Sequence, residues 1–251
     1  MVWLGAAVQE NSPTRYACFC EANLLSHAVR NPDLRMILDD ADCVFADGVA
    51  SVKLAAIHGN PLPERIPGPT FFLRACEAGI EKGWRHFLYG GAPGVADRLA
   101  EKLRSDYPGI QIVGTHSPPF REMGNLAEGE DVLRRIEEVG TDILWVGLGG
   151  PKQEFWMAEH RERIHVPVML GVGAAFDFHS KTRPWAPAWI RRLGVEWLFR
   201  MFTGGRSTLV RNARCCSVVA LVLMREFWHT RLSGRKEHTP GRCSRRDDLE
   251  N

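Results

Sequence analysis

The chain has 251 residues, 45% of them hydrophobic, which is enough for a full core in one large α/β domain or two small ones. Its seven cysteines include no C-x-x-C pair, which excludes the usual disulfide and zinc frameworks and indicates a reducing compartment. No run of about 18 apolar residues occurs, which excludes a membrane-spanning helix, and the first residues lack a signal-peptide pattern.

Charge is distributed unevenly along the chain. The net charge is only +2, but residues 181–251 carry 15 basic and 6 acidic side chains, so residues 1–180 carry −7. An acidic body with a basic C-terminal part indicates a polyanionic partner at that end: phosphate groups, an acidic membrane surface or nucleic acid. We therefore expect an α/β domain at 1–180, a basic helical appendage at 181–232 and a disordered tail at 233–251.

Short apolar runs alternate with amphipathic stretches between residues 16 and 171. Strands are predicted at 16–20, 42–46, 85–89, 110–114, 143–146 and 166–171, and helices at 22–30, 32–38, 49–58, 70–82 (with Thr70 as N-cap), 95–107 and 128–139. This alternation predicts an α/β fold with a Rossmann-like, mostly parallel sheet and helices on both faces. Several strands end in glycine turns, and we expect the active site along that edge.

Two charged residues stand out in the first half of the chain. Asp47 ends the second predicted strand, where open parallel sheets bind their ligands, although it could instead be the N-cap of helix 49–58. Arg65 lies in a stiff, proline-rich loop at 61–70, which suits a clamp for phosphate or carboxylate. The alternative for Arg65 is an ordinary solvent-exposed loop arginine.

The stretch 142–156 combines a buried strand, a glycine turn and a helix start. The glycines of the turn are Gly147, Gly149 and Gly150. Pro151 suits the first helical position, and the polar first turn would then consist of Lys152, Gln153 and Glu154. Unpaired N–H groups there would bind an anion such as phosphate. An ordinary βα turn is the alternative, since neither this stretch nor 90–94 fits the pattern G-x-G-x-x-G.

The C-terminal third changes in texture after His179. A basic, proline-rich loop precedes a predicted helix at 189–202, and a second helix is predicted at 208–228. The apolar stripe of the first helix consists of Trp189, Leu193, Trp197 and Met201. Packing on the domain would explain this stripe, whereas the basic charge and the apolar run at 218–224 indicate an element that lies on a membrane surface.

Several motifs, in order along residues 18–212, together resemble those of the WecG/TagA/CpsF family of glycosyltransferases. The motifs are Asp47-Gly48, Glu64-Arg65-Ile66-Pro67-Gly68, the glycine turns at 90–94 and 147–150, Pro151-Lys152-Gln153-Glu154-Phe155-Trp156, the stretch 171–178, Ala186-Pro187 and the stretch 196–200. The resemblance implies transfer of a sugar from a UDP-sugar to a polyprenyl-diphosphate-linked sugar. It also implies inversion at the anomeric centre, with no cofactor and no metal ion.

The resemblance also implies roles for individual residues. Asp47 would be the general base that deprotonates the acceptor hydroxyl. Arg65 and Gln153 would bind the donor, while Gly149 and Gly150 would let its diphosphate approach the backbone. The arginines expected to bind the lipid diphosphate are Arg200, Arg206 and Arg211. The other residues assigned to substrate binding are Lys152, Glu154, Asp177 and Arg183.

The chain departs from the family pattern in two places. The family usually has a strand and helix before the strand that here contains Cys18, and their loss would expose a sheet edge. The family's Thr-x-Asn after that strand is also not clear at 20–23. In the motif Ala-Gly-x-x-x-Arg-Ala-Pro, Lys181 replaces the glycine and Trp185 replaces the arginine, for which Arg183 is a candidate substitute.

The sequence thus predicts an inverting transferase on the cytoplasmic face of the cell membrane, peripherally attached. It would transfer an N-acetylmannosamine-type or glucose-type sugar in cell-surface polysaccharide or teichoic-acid synthesis. The predicted partners are the UDP-sugar, the undecaprenyl-diphosphate-linked acceptor and the membrane, without nucleic acid, and a homo-oligomer stays open. A nicotinamide-dependent oxidoreductase and a non-catalytic membrane or nucleic-acid adaptor are the alternatives.

Overall fold

The computed structural model of the protein describes residues 1–10, 13–120, 122–193, 196–203, 215–226 and 228. Within these residues, one six-stranded sheet forms, and every pairing in it is parallel. The strands are β1 (Arg15–Cys20), β2 (Cys43–Ala46), β3 (Arg85–Gly90), β4 (Gln111–His116), β5 (Ile143–Gly147) and β6 (Val168–Gly171). Their order across the sheet is β2-β1-β6-β5-β3-β4. The predicted α/β fold with a Rossmann-like parallel sheet is confirmed.

The helices are α1 (Val2–Gln9), α2 (Ala22–Ala28), α3 (Pro32–Asp40), α4 (Val49–Ile57), α5 (Gly68–Lys82), α6 (Val95–Asp106), α7 (Glu130–Glu138), α8 (Lys152–His160), α9 (Ala175–His179), α10 (Ala188–Leu193) and α11 (Glu196–Thr203). Most helices between the strands lie close to their predicted positions, whereas α1 and α9 were not predicted and the helix predicted at 189–202 is two helices, α10 and α11. The predicted N-cap at Thr70 is wrong, because Pro67 is the N-cap of α5 and its carbonyl accepts the N–H of Thr70 at 3.0 Å. Pro151 is the N-cap of α8, one position before the predicted one.

The sheet is buried on both faces. Along β5, Ile143 and Trp145 pack into a cluster with α1, α5, α6 and α9, whereas Leu144 and Val146 pack with α7 and α8. All four side chains are fully buried. This two-sided burial explains why β5 is a continuous apolar run rather than an alternating one.

The N-terminal segment forms helix α1, which packs on the sheet through Leu4 and Ala7. Trp3 of this helix meets Phe45 of β2 edge to face, with 5.8 Å between the ring centroids. Strand β1, which contains Cys18, pairs with β2 on one side and β6 on the other. Hence β1 is not an edge strand, and the sheet edges are β2 and β4.

The C-terminal region is described in part. Helices α10 and α11 cover much of the predicted helix at 189–202, and residues 215–226 are also helical. The latter helix touches the first half of the domain, since Cys215 Sγ lies 3.2 Å from Asn23 Oδ1 and Glu226 pairs with His58 at 3.5 Å. In the described part of the chain, no helix is both long and apolar enough to cross a bilayer.

Candidate active site

Asp47 lies directly after β2, at the edge of the sheet where the strands end. Its N–H donates to the Cys20 carbonyl at 3.1 Å, and its Oδ2 accepts the N–H of Gly68 at 3.2 Å. The N-cap alternative is wrong, because Gly48 is the N-cap of α4. Asp47 instead holds the first N–H group of α5, where the helix dipole favours a negative charge. The side chain is half-buried, and a backbone N–H group holds its carboxyl.

Arg65 is not the solvent-exposed loop arginine of the simpler interpretation, since its side chain is only 21% exposed. One guanidinium nitrogen lies 3.0 Å from Glu196 Oε1, and another donates to the Arg191 carbonyl. The loop itself is fixed to β2 by the Ile66 N–H, which donates to the Ala46 carbonyl at 2.8 Å. Arg65 therefore connects the proline-rich loop at 61–70 to helices α10 and α11. Its role in donor binding stays a prediction.

The turn after β5 has the expected glycine geometry. Gly149 has φ +80, a left-handed conformation that favours glycine, and a side chain there would meet open space. A methyl group at Gly150 would lie 3.4 Å from Glu154 Oε2. Within the turn the Gln153 N–H donates to the Gly149 carbonyl at 3.2 Å, so this donor of the helix start is already used.

The polar first turn of α8 contains two buried side chains. Gln153 is 4% exposed and Glu154 is fully buried, while Lys152 is half-buried with its ammonium 3.9 Å from the ring centroid of Phe120. Gln153 Nε2 donates to Glu154 Oε1 at 2.9 Å and to the Gly171 carbonyl at 2.8 Å, which ties α8 to the end of β6.

Burial has a marked effect on the Glu154 carboxyl. Desolvation raises the pKa of Glu154 to about 7, an effect that the hydrogen bond from Gln153 opposes. When ionised, the Glu154 carboxyl repels a phosphate, so a diphosphate at this turn needs positive charge nearby. The turn offers hydrogen-bond acceptors, which fit hydroxyl and N–H groups.

Asp177 and Arg183 contact each other near the end of β6. Arg183 Nε lies 3.4 Å from Asp177 Oδ2, and the Arg183 N–H donates to the Asp177 carbonyl at 3.1 Å. The Arg183 side chain is 69% exposed. Their assignment to substrate binding stays a prediction. Arg206 and Arg211 lie outside the described residues, and so does the side chain of Arg200.

The two residues that depart from the family motif meet at one cavity. Lys181 and Trp185 line a cavity of about 200 Å³ between α5, α6 and the segment after α9. Lys181 has φ +60, a conformation that glycine adopts without strain, which explains why the pattern has glycine there. Arg191 lies over the Trp185 ring at 3.8 Å, so a guanidinium remains next to the position where the family has arginine.

Two residues that hold neighbouring parts of the candidate site, Glu196 and His179, were not predicted from the sequence. Glu196 pairs with Arg65 across 131 residues, and only its place in a shared motif signalled it. His179 Nε2 lies 2.9 Å from the Pro69 carbonyl, and the His179 ring stacks on Phe72. These two contacts hold the first turn of α5, whose Gly68 N–H donates to Asp47. Desolvation lowers the pKa of His179, so the ring is favoured in its neutral form.

The protein is thus a doubly wound, parallel α/β protein. At the carboxyl-terminal edge of its sheet, a carboxylate follows one strand and a glycine turn follows another. The chain matches the Glycosyl transferase WecG/TagA/CpsF family over residues 1–233 and belongs to that family.

Its relatives include enzymes named N-acetylglucosaminyldiphosphoundecaprenol N-acetyl-beta-D-mannosaminyltransferase. The protein of that name from Bacillus spizizenii is 31% identical over 176 residues, which are 70% of this chain and 66% of the relative. Those from Bacillus subtilis and Staphylococcus aureus are 29% and 28% identical, over 69% and 70% of this chain and 66% and 67% of the relatives. The chain thus spans about two thirds of the length of these relatives.

Proposed function

We propose that this chain is an inverting glycosyltransferase that moves an N-acetylmannosamine-type sugar from a UDP-sugar to an undecaprenyl-diphosphate-linked sugar. The observation that carries this proposal is the family match, together with the name shared by the relatives, which specifies a mannosaminyl group and a diphosphoundecaprenol acceptor. A glucose-type donor is the alternative within the same reaction. The product would enter a teichoic acid or another cell-surface polysaccharide.

Asp47 is the proposed general base. Its carboxylate takes the proton of the acceptor hydroxyl while that oxygen attacks the anomeric carbon of the donor. The new C–O bond forms on the face opposite the departing UDP, so the configuration inverts. The position of Asp47 at a strand end and its hydrogen bond from Gly68 N–H support this role, because they fix the carboxylate at the edge where ligands bind.

The leaving diphosphate needs positive charge or N–H donors nearby. Arg65 and Lys152 are the proposed cations, and the backbone of Gly149 and Gly150 is the proposed surface against which the diphosphate lies. Arg183 is a further candidate because its side chain is largely exposed beside the end of β6.

The acceptor lipid is proposed to approach from the cytoplasmic face of a membrane, on which the basic C-terminal region lies. Residues 181–251 carry +9, which favours an anionic surface and the lipid diphosphate. Exposed apolar side chains on the C-terminal helix support this orientation, with Leu221 62% and Met224 53% exposed. Arg200, Arg206 and Arg211 are the proposed diphosphate contacts.

The test is a transfer assay with a panel of UDP-sugars and GlcNAc-diphosphoundecaprenol in vesicles that contain anionic lipid. We expect one lipid-linked disaccharide product, with UDP-N-acetylmannosamine as the preferred donor. Absence of product with every UDP-sugar in the panel, from protein that is folded and bound to the vesicles, would overturn the proposal.

A further inference from the structure

Glu154 is a fully buried carboxyl that the proposed base chemistry does not use. Within the described part of the chain it forms no ion pair, and its Oε2 is buried without a hydrogen-bond partner. A buried, unpaired carboxyl costs stability, because its charged form loses hydration and gains no countercharge. Such a group in the first turn of a site helix calls for a functional explanation.

The contacts of Glu154 fix the orientation of the neighbouring amide. Both N–H bonds of Gln153 Nε2 point to acceptors, the Glu154 carboxyl at 2.9 Å and the Gly171 carbonyl at 2.8 Å. A flipped amide would place Gln153 Oε1 against these two oxygen atoms and be repelled by both. The strength of this preference depends on the charge of Glu154, since a carboxylate is a stronger acceptor than a neutral carboxyl.

The fixed amide leaves one acceptor without a partner. Gln153 Oε1 is buried and accepts no hydrogen bond from any described residue. A methyl group placed on Gly173 would lie 3.4 Å from this oxygen and 3.7 Å from Gly149 Cα, so the oxygen lies beside the two glycine turns at the sheet edge. An unpaired acceptor there suits a hydroxyl or N–H group of a ligand and disfavours a phosphate oxygen.

We propose that Glu154 is a positioning residue whose carboxylate holds the Gln153 amide so that Gln153 Oε1 accepts a hydrogen bond from a hydroxyl or N–H group of the sugar nucleotide. The identity of this ligand rests on the proposed function. The orientation of the amide does not, and it can be measured without ligand. In this account Glu154 does not touch the ligand and acts through Gln153.

The charge of Glu154 makes this device sensitive to pH. Burial places its pKa at about 7, and the facing ionisable groups are Glu21 at the start of α2 and Cys18 and Cys20 on β1. Glu21 adds to the rise in pKa. Burial raises the pKa of Cys20 to about 11 and that of Cys18 well above its usual value, so both thiols stay neutral near pH 7. A titration near pH 7 in this region is therefore expected from Glu154.

The first experiment follows the side-chain NH₂ resonances of Gln153 in the ligand-free protein, assigned by their loss in Gln153→Leu. We expect them to shift with a midpoint near pH 7 in the wild type. The shift should vanish in Glu154→Gln and persist in Glu159→Gln, a matched change at an exposed position of the same helix. Resonances that do not titrate, or that titrate equally in Glu154→Gln, would overturn the proposal.

The second experiment measures binding of UDP-N-acetylmannosamine by calorimetry from pH 6 to pH 8. We expect wild-type binding to tighten severalfold with pH, and Glu154→Gln to bind roughly five- to tenfold more weakly at pH 8 without pH dependence, with kcat changed far less. Equal affinity and an equal pH profile in folded Glu154→Gln would contradict the inference. If wild-type protein binds and transfers no UDP-sugar, the proposed function fails, while the resonance experiment still decides the role of Glu154.

Discussion

The candidate site has two parts along the same edge of the sheet, and they differ in burial and in hydrogen bonding. On the Asp47 side (Asp47, Arg65 and Gly68), the two charged side chains are partly exposed, and they contact a backbone N–H and an ion-pair partner on α11. The Gln153 side (Gln153 and Glu154) is buried, and two of its acceptor atoms have no hydrogen-bond partner among the residues that the structure describes. A carboxylate that exchanges protons needs access to the acceptor and to water, whereas a group that selects a ligand gains from a dry, fixed environment. The difference agrees with the proposed roles, in which Asp47 is the base and Gln153 contacts the donor.

Replacement of Asp47 tests the chemical side and should have the largest effect on activity. We expect Asp47→Asn to lower kcat roughly 10²- to 10⁴-fold, because an amide cannot take up the proton from the hydroxyl group of the acceptor sugar. Donor affinity, measured by calorimetry, should stay within about twofold, since the amide oxygen can still accept the Gly68 N–H. Asp39→Asn, at an exposed position of α3, is the matched control. Activity of Asp47→Asn close to that of the control would remove Asp47 from the role of base.

Close packing beneath the Gln153 side is tested at Gly90, where β3 ends against β5. A Cβ atom at Gly90 would lie 2.6 Å from the carbonyl carbon of Gly147, and its φ of +126 is strained for other residues. Gly90→Ala should therefore lower the free energy of unfolding by more than about 3 kcal/mol. Gly124→Ala is the control, because Gly124 also has a positive φ but open space around it. Similar denaturant midpoints for both variants would show that the strands can separate at this point.

The contact between the Asp47 side and helices α10 and α11 depends on the two guanidinium nitrogens of Arg65. Arg65→Lys cannot reach both Glu196 and the Arg191 carbonyl, so we expect roughly a tenfold loss in kcat/KM. Glu196→Gln should reproduce most of this loss if this contact itself matters. A large loss in Arg65→Lys with none in Glu196→Gln would indicate that the proposed contact of Arg65 with the donor diphosphate accounts for the effect without the contact to Glu196. Arg74→Lys, at an exposed position of α5, is the control.

Stability should respond to pH in opposite ways at two buried groups. The pKa of Glu154 is raised from 4.5 to about 7 in the folded protein. The contribution of Glu154 to the free energy of unfolding is therefore fully present below pH 4.5 and is lost as the pH rises through 7. His86 has its pKa lowered by burial to about 4, so its contribution is lost as pH falls from 6.5 towards 4. We expect Glu154→Gln to raise the free energy of unfolding by up to about 3 kcal/mol at pH 8 and to change it little at pH 4.5. Urea titrations of both proteins check this, and a loss at pH 8 would contradict it.

The sequence predicts one side of this edge better than the other. The apolar run of β5 and a helix directly after the glycine turn follow from local patterns, and the structure confirms both, with the helix beginning one residue later than predicted. The spacing of Gln153, Met157 and His160 on one helical face also signals that Gln153 is buried. The hydrogen bond from Gln153 to the Gly171 carbonyl could not be predicted, because it requires α8 to pack beside the end of β6, an arrangement that only the folded sheet defines.

The Asp47 side depends on contacts between distant parts of the chain. Asp47 was identifiable from its place at a strand end, but its hydrogen-bond partner Gly68 became apparent only once α5 was shown to begin before Thr70. The pair Arg65–Glu196 joins residues 131 positions apart, and no local pattern encodes such a contact. Local signals thus single out the candidate residues, while tertiary packing determines which groups each of them contacts.

The most direct test is the configuration of the bond made from UDP-N-acetylmannosamine and GlcNAc-diphosphoundecaprenol, determined by NMR on the isolated lipid product together with a count of the UDP released. We expect a β-linked disaccharide and one UDP for each product molecule, since a single base at Asp47 directs attack from the face opposite the leaving group. An α-linked product, or release of UDP without a lipid product, would contradict it.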